Sequence, residues 1–97
     1  MTTMKKTICI TTVETLRLIH ALNTIGKEKS DVDLHIIMDE IIEDAFFGVD
    51  TVSFALYPVD INTSIDAVKQ FVERVTDVPV SYQYQYLMNA LRKSLGE

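Results

Sequence analysis

Cysteine is almost missing from this sequence. Cys9 is the single one among 97 residues, so no internal disulfide can form and a zinc site built from several thiolates is excluded. Tryptophan is absent, and only three glycines and two prolines occur, with no linker rich in either. No apolar run approaches the ~18 residues that a membrane span needs. Ile8–Ile10, behind Lys5 and Lys6, is too short for the apolar region of a signal peptide, so a cytosolic location is expected, in the cytoplasm of a host cell. Two histidines, His20 and His35, are little material for metal or triad chemistry.

The most informative absence is that of positive charge. Between Lys29 and Lys69 there is no basic residue. The net charge of −5 is therefore unevenly spread: +3 over residues 1–29, −9 over 30–68, and +1 over 69–97.

What is present suffices for one globular domain spanning 1–97, since apolar residues make up 47% and mean hydropathy is +0.14. Lys6–Thr11 is a β-branched run and predicts a strand. Thr11 with Glu14 three residues on is a capping box. Val13, Leu16, Ile19, Leu22 and Ile25 recur at helical spacing, giving a helix over Thr12–Ile25 with Gly26 at its end.

A second helix is expected over Asp31–Phe47, capped by Ser30 or Asp31, with Leu34, Ile37, Met38, Ile41, Ile42 and Ala45 inward. Alternation in Val32–Met38 offers a strand instead, but the helical pattern continues unbroken to Ala45. Thr51–Tyr57 reads as a strand stopped by Pro58. Thr63 predicts the cap of a third helix over Ser64–Thr76, which Pro79 would break. Val80–Gln85 alternates through Tyr82 and Tyr84 and reads as a third strand, with helix as the alternative over 80–86, before a short last helix carrying Leu87, Met88, Leu91 and Leu95. The fold class expected is α+β, a small two- or three-stranded sheet covered by three or four helices.

The second helix breaks a local rule. Asp33, Asp39, Glu40, Glu43 and Asp44 spread over its polar side. Asp39–Glu43 and Glu40–Asp44 are like-charge pairs at i,i+4, and Glu40–Glu43 is one at i,i+3. Each destabilises a helix by roughly 0.2–0.5 kcal/mol. Glu43 and Asp44 also lie where the macrodipole disfavours anions. The third helix, by contrast, mixes Lys69 and Arg74 with Asp66 and Glu73. An acidic face is often no more than a solvated one. Its extension over the following strand and loop points instead to a surface that meets a basic partner. Asp31, Asp33, Asp39, Glu40, Glu43 and Asp44 are the expected partner-binding residues. Ile36 and Phe47 fall among the acids on the helical wheel, as apolar anchors in a charged interface or as residues beyond a frayed end.

Carboxylates at i,i+4 lie about 6 Å apart. That is comparable with the separation of successive phosphates along one DNA strand. Such a face can occupy a protein groove evolved for nucleic acid, whereas direct DNA or RNA binding is disfavoured by the same charge.

Catalytic chemistry finds no support. Asp31-x-Asp33 and Asp39-Glu40 are the candidate carboxylate pairs for Mg²⁺ chemistry, and they lack EF-hand spacing. His20 is expected at the polar edge of the first helix, His35 at the surface, and Cys9 buried as a small hydrophobe. No enzyme activity, metal or cofactor is expected.

The opening MTTMKKTICITTVETLRLIHALNTIG, followed by DVDLHIIMDEIIEDAFFGVD, resembles the phage-encoded anti-CRISPR proteins that inhibit type I-F systems, over the whole chain. The resemblance implies a DNA mimic. It would bind the type I-F (Csy) surveillance complex where the large and tail subunits grip the duplex beside the protospacer. No contact residue carries over. The alternative is an adaptor or antitoxin-like module that neutralises a basic protein without imitating DNA.

Overall fold

The computed structural model describes residues 4–96. Strand β1 (Lys6–Thr11) runs directly into α1 (Thr12–Lys29). There follow α2 (Val32–Asp44), β2 (Phe46–Phe47), β3 (Thr51–Leu56), α3 (Pro58–Val72) and α4 (Val78–Ser94). The strands form one antiparallel sheet in the order β1-β3-β2, and with four helices the fold is α+β as expected. Met1–Thr3 and Glu97 lie outside the described residues.

The β1–β3 register decides which face of the sheet is core. Ile8 sits opposite Phe54 and Ile10 opposite Val52, and all four are buried. Leu18, Leu22 and Ile25 of α1, Ile61, Ile65 and Val68 of α3, and Leu87 and Leu91 of α4 complete this core. The next register positions, Thr7, Cys9, Thr11, Thr51, Ser53 and Ala55, make the other face, which is exposed or half-exposed. Cys9 is therefore exposed opposite Ser53, not buried as expected, because strand alternation turns it away from Ile8 and Ile10.

The capping box on α1 is formed as expected. Thr11 Oγ1 accepts the Glu14 N–H and Glu14 Oε1 accepts the Thr11 N–H, both at 3.0 Å. Gly26 does not end the helix. Serine 30 takes the left-handed position (φ 51°), and α1 continues to Lys29. Gly26 serves a helix crossing: a Cβ there would meet His35 Nε2 of α2 at 2.9 Å. His35, expected at the surface, is half-buried against it.

Three further expectations are corrected. First, α2 stops at Asp44 rather than Phe47. Ala45 is extended, and Phe46 and Phe47 pair with Ser53 and Val52 as β2. The two anions in the last turn weaken the helix end, and two aromatics before a glycine turn favour a hairpin. Gly48 makes that turn, its N–H donating to the Thr51 carbonyl at 2.8 Å. Second, α3 starts at Pro58 and ends at Val72, not over Ser64–Thr76. Proline is favoured at the first helical position, where its missing N–H is not needed. Thr63 lies inside the helix, its hydroxyl donating to the Val59 carbonyl. Third, Val80–Gln85 is helix. Asp77 caps α4 through the Val80 N–H at 3.1 Å, and Pro79 lies in its first turn. Tyr84, Leu87, Met88 and Leu91 are the buried stripe, at helical spacing, while Tyr82 and Tyr86 point outward one turn apart. The third strand is thus β2.

His20, exposed as expected, meets Phe71 edge-on at 5.3 Å, and Phe71 packs on Tyr84 at 4.7 Å. Burial pushes the Tyr84 phenol above the ordinary tyrosine value, against a smaller opposing effect of Arg17. Its unfolded counterpart loses the proton first, near pH ~10. The stabilisation is therefore complete below that pH and is lost as pH rises from there through the folded value. In denaturant titrations across pH 9–12, Tyr84→Phe is expected to flatten the alkaline loss of stability. An unchanged profile would place the loss elsewhere.

Candidate interaction surface

The six acids expected at the interface divide into three groups. Asp31 is the N-cap of α2, its Oδ1 accepting the Asp33 N–H at 3.0 Å. Asp33 lies in the first turn, where the macrodipole favours an anion. Both are consistent with helix stability on their own. Asp44, at the other end, is a structural ligand: its Oδ2 accepts the Ala55 N–H of β3 at 2.7 Å. It holds the end of α2 to the sheet just beyond the short β2 pairing.

Asp39, Glu40 and Glu43 remain. Asp39 and Glu43 project from the side of α2 opposite the buried Leu34, Ile37 and Ile41, and Glu40 lies at the flank of that buried stripe. Asp39 and Glu43 are exposed and one turn apart. Glu40 is half-buried, and its Oε2 is closed off from solvent with no hydrogen-bond partner. No basic residue lies on α2. Among the described residues one ion pair forms, Arg74 with Glu28, and it involves none of the six acids. The like-charge strain inferred from spacing is therefore present in the folded chain without an internal cation to relieve it.

Ile36 lies in this outward strip and is 49% exposed. Val32, one turn earlier, is 67% exposed and extends the same apolar line, which the charge pattern alone did not single out. Its signal was the i,i+4 spacing to Ile36. Phe47 is not on this helix. It is 69% exposed on β2, and its register partner Val52 puts it on the helix-covered side of the sheet.

There it borders a groove between α1 and α2. Ile42, expected inward, and Leu16, one of the helically spaced apolar residues of α1, are more than half exposed along its walls. The apolar arcs of α1 and α2 are wider than one helix contact can cover, so their outer edges stay open.

Among the described residues no three His, Cys, Asp or Glu side chains gather as a metal site would require, and no helix is long and apolar enough to cross a membrane. No protein-family model matches the chain, nor does any curated protein or solved structure.

Proposed function

We propose that this chain is a non-enzymatic inhibitor that presents α2 in place of the phosphate backbone of duplex DNA and occupies a basic groove of a CRISPR surveillance complex of type I-F. The observation that carries the reading is the outward pair Asp39 and Glu43, one turn apart, with the half-buried Glu40 at its flank, rigid because helical and without a cation. Carboxylates one turn apart repeat at roughly 6 Å, a spacing that lysines and arginines set for phosphates can meet. The type of complex, and the site at its large and tail subunits, come from the resemblance in the sequence. The complex would be reached in the cytoplasm of the host cell.

Order of addition tests this. A CRISPR effector first reads a short duplex element beside the protospacer and only then pairs guide with target. Preincubation with the protein is expected to abolish gel-shift binding of target DNA, and of a short duplex carrying only that element. Preloading with full target is expected to protect the complex, because the heteroduplex adds contacts the protein cannot replace. Equal inhibition in both orders, or a ternary complex holding protein and duplex together, would defeat mimicry and favour the adaptor reading.

A further inference from the structure

The groove beside α2 has a definite size and chemistry. Its volume is about 160 Å³, and Leu16, Ile19, Ile41, Ile42, Ala45 and Phe47 supply most of its lining. The Thr15 hydroxyl, also in the lining, already donates to the Thr11 carbonyl at 3.0 Å. An enclosed apolar cavity of about 150 Å³ takes a benzene-sized guest; this groove has a similar volume but opens to solvent at Leu16, Ile42 and Phe47. A single side chain fits this space, whereas a whole helix does not.

Charge states what carries that side chain. Asp39 precedes Ile42 by one turn and Glu43 follows it directly, so the α2 wall has an anionic rim. At the β2 end, the Asp50 carbonyl accepts the Thr12 N–H at 3.1 Å, which brings a further acid to the start of α1 beside the groove. Groove and acidic strip are continuous through Ile42, Asp39 and Glu43, on one helix.

We infer that the groove receives one phenylalanine-sized side chain from a protein segment rich in lysine and arginine, with the flanking cations held by Asp39 and Glu43. The acidic face then does more than repel or attract at long range, because the groove fixes register along α2. An apolar side chain that covers the exposed walls of the groove on binding supplies affinity that screened surface charges do not. The inference rests on reading α2 as a surface for a basic protein, but not on that surface imitating DNA.

The test uses the full chain with isotope-labelled isoleucine methyls and three capped pentapeptides: Lys-Arg-Phe-Arg-Lys, the same with alanine at the centre, and Glu-Glu-Phe-Glu-Glu. The first is expected to shift the methyl signals of Ile19, Ile41 and Ile42 and to bind about tenfold more tightly than the alanine peptide, as partial burial of one ring implies. The glutamate peptide is expected to bind at least about tenfold more weakly than the first. Ile42→Ser, at a half-exposed position, and Leu16→Gln, at another, are each expected to remove the phenylalanine dependence in a folded chain.

Equal binding of the phenylalanine and alanine peptides, or phenylalanine-dependent shifts away from the groove, would overturn the inference. So would tight binding of the glutamate peptide, or a groove already closed by a second copy, seen as concentration-dependent methyl shifts with a dimer in sedimentation. Peptide binding at the groove combined with failed DNA competition would retain this inference and reject mimicry. The opposite combination would reject this inference alone.

Discussion

Glu43→Lys is expected to make the protein more stable and, on the proposed function, to weaken inhibition. The two effects have separate origins. Within the chain, lysine at 43 turns the Asp39–Glu43 and Glu40–Glu43 repulsions into attractions, in the favourable order with the acid nearer the N-terminus. It also places a cation in the last turn of α2, where the macrodipole favours one and none stands now. Each pair swings by roughly 0.4–1 kcal/mol, and the dipole adds a few tenths. After screening at an exposed site, about 1 kcal/mol remains, or a rise of roughly 4–8 °C in Tm for a domain of this size. At the proposed interface, the lysine would meet cations. Loss of a close charge contact there amounts to about 2–5 kcal/mol, at least about thirtyfold in affinity. Melting curves and gel-shift competition on one preparation measure both. A variant that is stabilised and still fully inhibitory would make the acidic strip a solvated face. One that is destabilised would mean that Glu43 has a structural partner.

The elements that could be read directly were those whose signals were redundant. β1 and the start of α1 carry a β-branched run, a capping box and five apolar residues at helical spacing, and all agree. The errors lie where one residue type signals two things. Proline 58 ends β3 and begins α3, and Pro79 belongs to the start of α4 rather than the end of α3. Tyrosines 82, 84 and 86 alternate like a strand, but their meaning is set by Leu87, Met88 and Leu91, which continue the Tyr84 stripe at helical spacing. The β2 strand is only two residues long, and its existence depends on β3 lying beside it, a tertiary fact.

For the candidate surface, charge asymmetry singled out α2, on which Asp39, Glu43 and Ile36 do point outward while Glu40 is half-buried. It could not separate Asp44 from its neighbours, because what distinguishes Asp44 is a hydrogen bond eleven residues away in sequence. The groove was hidden for a related reason. Leu16 and Ile42 have the periodicity of core residues, and only the packing of α1 against α2 reveals that both lie at the edge of the contact.

Asp44→Ala is expected to do the opposite of Glu43→Lys, although the two residues are adjacent and carry the same charge. Removing the Asp44 carboxylate relieves its repulsion with Glu40 and its unfavourable position at the helix C-terminus, together about 0.5–1.5 kcal/mol of gain. Against this stands the 2.7 Å bond from the Ala55 N–H, a hydrogen bond to a charged acceptor, which contributes about 1.5–3 kcal/mol. Loss outweighs gain by about 1 kcal/mol. Ala55 lies on β3 outside the two-residue pairing with β2, so no strand neighbour on that side can replace the acceptor. Tm is therefore expected to fall by roughly 4–8 °C, and the Ala55 amide should exchange its hydrogen faster than in the parent chain. Inhibition measured well below the new Tm should stay within about threefold of the parent, since Asp44 is engaged by the sheet and does not belong to the outward strip. Unchanged amide exchange at Ala55, or a large loss of inhibition in a chain that remains folded, would return Asp44 to the binding surface beside Glu43.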